Sequence, residues 1–265
     1  MSYNSDEGEE VPERGEEAVM SVTFEIEGRT FMALNGGHYF TFTPAISFFV
    51  NCDTQGQLNR LWEKLSQGGK VFMELNKYPF SERFGWVEDK FGISWQLNLS
   101  SSIYKITPFL MFVGPNKGKA EEAMNFYISL FNNSSVLQIE RYGPGEAEPE
   151  GTVKHSTFSL DAQEFMALDS SAEHAFTFSE AISFFVDCDT QDEVDMLWEE
   201  LSQGGEKGQC GWIKDKYGVS WQIVPTILGE LLGDPDPVKA QRAMGAMLKM
   251  SKLNIEELKK VHREG

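Results

Sequence analysis

The chain is predicted to be an α+β protein, two copies of one strand-and-helix module followed by C-terminal helices. Three observations predict this. Ala45-Ile-Ser-Phe-Phe-Val-Asn-Cys-Asp-Thr-Gln55 returns as Ala181-Ile-Ser-Phe-Phe-Val-Asp-Cys-Asp-Thr-Gln191, and both copies run on to matching Leu-Trp-Glu and Leu-Ser-Gln-Gly-Gly segments. Within each copy the apolar pattern passes from a continuous run to a 3.6-residue stripe, the mark of a buried strand followed by an amphipathic helix. Towards the end, Ala240, Ala243, Met244, Met247 and Leu248 fall at helical spacing.

The elements follow in order. Thr23-Phe24 and Phe31-Met-Ala-Leu34 read as two strands of a hairpin, matched later by Thr157-Phe158 and Phe165-Met-Ala-Leu168. Ile46–Val50 is a short apolar run and reads as a buried strand; Asp53 or Thr54 can cap the helix that follows. Leu58, Leu61, Trp62 and Leu65 form one stripe, as do Val194, Leu197, Trp198 and Leu201, and Gly68-Gly69 and Gly204-Gly205 close the two helices. Asp89-Lys-Phe-Gly92 and Asp215-Lys-Tyr-Gly218 look like tight turns between strands. Copy one carries ten extra residues around Val71–Ser81, one more strand and its loop, whereas copy two has only Glu206-Lys-Gly-Gln there and should have a shorter edge. Copy two alone has an opening strand at Ile106–Val113, a helix from Lys119 to Phe131, and a strand at Val136–Tyr142. Asp236-Pro237 and Asn254 with Glu257 mark the starts of two terminal helices. The expected organisation is an acidic disordered tail at 1–18, a truncated copy at 19–99 lacking its first β-α-β, a linker at 100–104, a complete copy at 105–225, and helices at 226–265.

Composition narrows the function. A net charge of −18 argues against nucleic acid, whose phosphates need clustered Lys and Arg. No apolar run approaches the length of a membrane span, and no basic region followed by an apolar one opens the chain. Of three cysteines, Cys52 and Cys188 occupy equivalent positions and Cys210 stands alone, so neither a disulfide framework nor a CxxC pair is present. A cytoplasmic protein with reduced thiols is expected.

Ile106-Thr-Pro-Phe-Leu, Glu121-Glu-Ala-Met-Asn-Phe-Tyr127, Phe165-Met-Ala-Leu168, the Ala-Ile-Ser-Phe block and the Asp-Lys-aromatic-Gly-hydrophobic-Ser-Trp-Gln block carry a resemblance. The chain resembles the PhnB-like branch of the vicinal oxygen chelate (glyoxalase/bleomycin resistance/dioxygenase) superfamily, labelled 3-demethylubiquinone-9 3-methyltransferase-like. The resemblance implies βαβββ modules paired into curved mixed sheets around a cleft, commonly completed in a dimer. Metal-dependent members of the superfamily place His and Glu ligands on the first, fourth, fifth and last strands. Those positions correspond to Thr107, Ala167, Ala181 and Gln222 in copy two and to Ala33, Ala45 and Gln96 in copy one, a set with no good ligand, so no metal and no cofactor are expected.

The candidate ligand-binding residues are His174, Gln222, Trp212, Trp221, His38 and Gln96. His38 and His174 recur before aromatic-Thr-Phe. Two readings stand for them: an acid-base group at the cleft mouth, and a ring that fixes a loop through a backbone carbonyl. By the family's register Gln96 and Gln222 face the cavity with Ser94, Asn98 and Ser220; Trp95 and Trp221 point the other way, and Trp86 and Trp212 are open to either. Tryptophans at such positions serve the core or stack on a flat ligand. His155 has no repeated counterpart. Methyl transfer finds little support, because no strand is read as leading through a glycine-rich turn into a helix with an acidic residue downstream. The expected function is binding of a small, largely apolar or aromatic molecule in a metal-free cleft. An enzyme is the alternative: a ubiquinone-type methyltransferase, or a metal-dependent glyoxalase/dioxygenase-type lyase. Catalytic residues are not identified. A homodimer is expected, because a copy without its first β-α-β leaves an open sheet edge.

Overall fold

The computed structural model describes residues 21–37, 39–103 and 105–264, so the acidic segment at 1–18 and His38 lie outside the described residues. The chain divides into two units, one spanning residues 19–181 and the other starting at Ile182.

The first unit opens with a hairpin of β1 (Ser21–Ile26) and β2 (Arg29–Leu34). Two successive βαβββ modules follow. The first comprises β3 (Ile46–Cys52), α1 (Gln55–Ser66), β4 (Lys70–Tyr78), β5 (Ser81–Glu88) and β6 (Ser94–Leu99); the second comprises β7 (Ile106–Phe112), α2 (Ala120–Leu130), β8 (Ser135–Arg141), β9 (Val153–Leu160) and β10 (Gln163–Asp169). They share one eight-stranded sheet in the order β4-β5-β6-β3-β7-β10-β9-β8. Each module repeats one rule: its first strand pairs parallel with its last, β3 with β6 and β7 with β10. The two first strands then join antiparallel, Ile46 opposite Leu110 and Val50 opposite Ile106. The sheet thus unites the second half of the first sequence repeat with the first half of the second.

In the second unit β11 (Ser183–Cys188), α3 (Gln191–Ser202), β12 (Glu206–Lys207), β13 (Trp212–Lys214) and β14 (Ser220–Pro225) form a third module, with the sheet order β11-β14-β13-β12. Its β12 has 2 residues against 9 in β4, as the missing ten residues predict. The helices α4 (Ile227–Leu232), α5 (Pro237–Met247) and α6 (Ile255–Arg263) enclose Leu228, Leu231, Ala243, Leu253 and Leu258, together with Val224 from β14.

Local chemistry sets the helix ends. Thr54 accepts from the Gln57 amide, and Thr190 forms a capping box with Glu193. Asp236 caps α5 ahead of Pro237, and Asn254 caps α6. On α1 the predicted stripe packs as a unit: Leu58 is fully buried against Cys52 and Leu97, with Leu61, Trp62, Leu65, Val50 and Trp95 around them. One face of the sheet is therefore covered by helix, and by strand alternation Ser47, Phe49, Asn51, Gln96 and Asn98 lie on the opposite, inner face.

The turns β1–β2 and β9–β10 both need two residues at positive φ, the twist that a two-residue hairpin favours. Copy one supplies Glu27-Gly28 at 51° and 76°, and copy two Asp161-Ala162 at 46° and 61°. A methyl at a left-handed position is strained, so Ala162→Gly is expected to stabilise the first unit by about 0.5–1 kcal/mol, net of glycine's greater chain entropy. Chemical denaturation of the two proteins measures it.

Candidate functional site

The inner face of the first unit is built from the centre of its sheet outwards. Register places Phe49 opposite Thr107, Ser47 opposite Phe109, and Gln96 opposite Trp86, so these side chains share a face. Rings cross it in succession: Phe84 and Phe49 with centroids 6.2 Å apart, Phe49 and Phe109 6.2 Å apart, Phe109 and His155 5.9 Å apart. The row runs from β5 to β9. At its outer end Phe80, in the tip between β4 and β5, lies 5.1 Å from Phe84 and 5.7 Å from Tyr78. An open cavity of about 600 Å³ is lined there by Lys77, Tyr78, Pro79, Phe80, Ser81 and Glu82; it sits at the tip and not over the polar groups at the centre of the sheet.

Polar side chains interleave with the rings. Gln96 Nε2 donates to Ser47 Oγ at 2.8 Å. Asn98 Nδ2 donates to Asn51 Oδ1 at 3.0 Å, and Ser81 Oγ donates to Asn98 Oδ1 at 2.6 Å. Trp86 Nε1 donates to Ser94 Oγ at 2.8 Å. Thr107 Oγ1 donates to Glu164 Oε1 at 3.3 Å, with Thr107 fully buried and Glu164 8% exposed. Burial holds the Glu164 carboxyl above its ordinary pKa, opposed by the Thr107 hydroxyl and the Arg29 guanidinium. Burial also lowers the pKa of His155, which favours a neutral ring.

A carboxyl raised in the folded state binds more protons there than in the unfolded chain between the two pKa values. Stability therefore falls as pH rises through that window, and the penalty is fully present above it. Glu164→Gln removes the titration. The variant is expected to melt at a higher temperature than the parent at pH 7, with the difference vanishing in acid below the ordinary carboxylate range; melting curves at several pH values test this.

The sequence candidates are placed as follows. Gln96, 7% exposed, stands at the centre of the inner face. Gln222 lies in the second unit, where its Nε2 donates to Ser183 Oγ at 2.8 Å, a copy of the Gln96–Ser47 pair. Trp212 is directly opposite Gln222 and shares its face. Trp221 is on the other face, 2% exposed, its indole N–H donated to Asp215 at 2.9 Å. The copy-one equivalent, Trp95, makes the same bond to Asp89. His174 is half-buried after β10, Nε2 3.0 Å from Ser170 Oγ and ring 4.9 Å from Phe176. His38 lies outside the described residues. The second unit thus holds Ser183, Phe185, Asp187, Trp212 and Gln222 as half of a floor, in a sheet that ends at β11.

Two residues of the inner face, Glu164 and His155, carried no signal in the repeat, since copy one has Thr30 and Ser21 at their positions. The available signal was the two-residue period of β10, in which Glu164 shares a face with Met166 and Leu168. Ala167, the fourth-strand position in the family's metal pattern, sits opposite Leu110 and Ser156 on the helix side. The four central strands therefore present Ser47, Gln96, Thr107 and Glu164, one carboxylate with two hydroxyls and an amide. Among the described residues no group of three or more His, Cys, Asp and Glu comes together. This donor set does not fit a resident divalent ion.

β7 does lead through Gly114-Pro-Asn-Lys-Gly118 into α2, a glycine-containing strand-to-helix turn contrary to the expectation from sequence. Asp169 occupies it: Oδ1 accepts from the Ala120 amide at 3.0 Å, Oδ2 from the Val153 amide at 2.9 Å, and Gly118 also donates to this carboxylate. The helix start that would receive an anionic cofactor group is filled by the protein's own carboxylate.

Comparison with known proteins places these features. The family model described as 3-demethylubiquinone-9 3-methyltransferase matches residues 2–98 and 104–224. A solved PhnB protein from Bacillus cereus, whose description names the same methyltransferase, is 47% identical over 46% of this chain and 99% of its own, with a TM-score of 0.44. A Staphylococcus aureus protein is 34% identical over 44% of this chain and 92% of its own, with a TM-score of 0.20. Glyoxalase I from Zea mays is 12% identical over 74% of this chain and 73% of its own, with a TM-score of 0.49. No curated protein matches the chain. With both repeats covered by one family model, the chain belongs to the 3-demethylubiquinone-9 3-methyltransferase family.

Proposed function

We propose that the inner face of the first unit binds a small, largely apolar or aromatic molecule without a metal ion. The observation that carries this is the row Phe84, Phe49, Phe109 and His155, successive rings 5.9 to 6.2 Å apart, flanked by the hydrogen-bonded pairs Gln96–Ser47 and Thr107–Glu164. Aromatic faces at such spacing supply stacking and edge contacts, while a few amides and hydroxyls fix orientation. Neutral groups dominate this floor, which suits holding a guest more than ionising one. Native mass spectrometry of the purified full chain, with dissociation of any bound species, tests the reading. An aromatic molecule retained by the parent and lost from Phe49→Ala supports it; retention unaffected by that change contradicts it.

The homodimer and the cytoplasmic location belong to the same proposal. Among the described residues β11 ends its sheet, whereas β3, nearly identical in sequence, is paired on both sides; an unpaired strand edge favours association with a second chain. A sedimenting species of monomer mass at micromolar concentration would contradict the dimer. Cys52, Cys188 and Cys210 are free thiols. Burial pushes Cys52 up to about 11 and Cys188 up to about 12, so the thiolate is suppressed at both. Both are expected to resist alkylation in the folded protein at pH 8 and to react on unfolding, as peptide mapping can check. No helix among the described residues is long and apolar enough to cross a membrane.

A further inference from the structure

Each of the three modules opens on a strand that belongs at a seam. β3 and β7 satisfy each other, while β11, the first strand of the third module, pairs among the described residues only with β14. Its other edge is open.

The β3–β7 seam shows what such a strand takes as a partner. Ile46-Ser-Phe-Phe-Val50 and Ile106-Thr-Pro-Phe-Leu110 are equivalent stretches of their modules. They pair antiparallel with Ile46 opposite Leu110, Ser47 opposite Phe109, Phe48 opposite Pro108, Phe49 opposite Thr107 and Val50 opposite Ile106. First meets fifth, second meets fourth, and third meets third. Such a register is unchanged when the two strands are exchanged, which is the condition for a strand to pair with a copy of itself about a two-fold axis. The counterpart stretch, Ile182-Ser-Phe-Phe-Val186, repeats the β3 residues without a change.

Composition and exposure agree with a covered edge. Ile182–Val186 carries no charge and no proline, the devices that keep a free edge from pairing. Phe185 is 46% exposed, whereas its counterparts Phe49 and Phe109 stack 6.2 Å apart across the β3–β7 seam. The Asn51 amide donates to the Lys105 carbonyl across that seam at 2.9 Å, and by equivalence the Asp187 N–H is directed at the open edge.

Resting on the homodimer read above, we propose that β11 pairs antiparallel with β11 of a second copy in the β3–β7 register, with Phe184 opposite the partner's Phe184. Two four-stranded sheets become one of eight, and the third modules of two chains repeat what the first two modules do within one. Phe185 stacks on the partner's Phe185 across the axis. The half-floors that hold Ser183, Phe185, Trp212 and Gln222 join into one face. Antiparallel pairing also sends the two Asp187 carboxylates to opposite ends of the seam, so like charges do not meet.

Phe184→Cys places one thiol beside the axis. The third-to-third pair is a non-hydrogen-bonded one, as Pro108 without an N–H requires, so the two Cα atoms stand about 4.5 Å apart, within reach of a disulfide. Mild oxidation of the full-length variant is expected to give a covalent dimer whose linked peptide maps to position 184 of both chains. Phe48→Cys, at the equivalent place in β3 facing Pro108, should give none. Asp187→Pro removes an N–H directed at the seam and spares those bonded to β14, so it should fold and raise the dimer dissociation constant at least about tenfold in sedimentation. That variant also guards against a folding defect from loss of the Phe184 ring, which packs 5.3 Å from Trp221. A dimer neither linked through position 184 nor weakened by Asp187→Pro overturns the β11 seam while upholding the homodimer. A wild-type chain that sediments as a monomer overturns both.

Discussion

Replacing Asp215 with alanine is expected to cost the second unit about 3–5 kcal/mol, enough to abolish its cooperative melting. Three donors lose their acceptor at once: the Tyr217 amide at 2.9 Å, the Val219 amide at 3.0 Å and the Trp221 indole at 2.9 Å. Asp215 is 2% exposed, Tyr217 2% and Val219 fully buried, so water cannot take its place; each unmet buried donor costs about 1–3 kcal/mol. The chain contains its own control. Asp89 accepts from Phe91, Ile93 and Trp95 in the same pattern but is half-buried beside an exposed Phe91, so Asp89→Ala leaves its donors within reach of solvent. A clearly smaller loss is expected there. Urea unfolding followed by near-ultraviolet circular dichroism compares the two, and equal losses would show that the turn is held by something other than this acceptor.

The second large effect is expected at Phe109. Its ring is 2% exposed and bridges Phe49 and His155, so Phe109→Ala opens a cavity at the centre of the eight-stranded sheet. Truncation of a buried phenylalanine costs about 3–5 kcal/mol. Under the proposed function it also removes the middle of the stacking row, and affinity for a flat aromatic should fall at least about tenfold. Phe109→Leu separates the two consequences, since it keeps most of the apolar volume and loses the ring. That variant should recover most of the stability and little of the affinity; recovery of both would mean that the row is core and nothing more.

Much of the fold was legible in the residues. The two apolar stripes, the Thr54 and Thr190 caps, the Asp236-Pro237 start and the short edge of copy two all appear where local chemistry placed them, because caps and stripes depend on side chains close in sequence. Strand partnership was harder to read. β3 and β11 carry almost the same residues, and a sheet edge offers backbone groups that are blind to side-chain identity. Ile46–Cys52 differs from Ile182–Cys188 only in having Asn51 for Asp187, yet the sheet joins β3 to β7 and leaves β11 at an edge. The unit of 19–181 consequently straddles the sequence repeats.

The site was half legible for a related reason. The family resemblance puts Gln96 on the cavity face and the strand period adds Ser94 and Asn98, while Trp86 joins them through its register opposite Gln96. Glu164 and His155 come from strands whose copy-one counterparts hold Thr30 and Ser21, so repetition hid them. They share a face with Phe49 and Gln96 only because β7 and β10 continue the sheet from β3, a long-range pairing that no local pattern encodes.

The inner face of the first unit, and not the matching half-floor of the second, is expected to hold an aromatic guest. A crystal of the full chain soaked with 2-naphthol tests it most directly. Difference density is expected for the ring against Phe49 and Phe109. Density against Phe185 and Trp212 instead, or an inner face left unchanged at saturating probe, would contradict it.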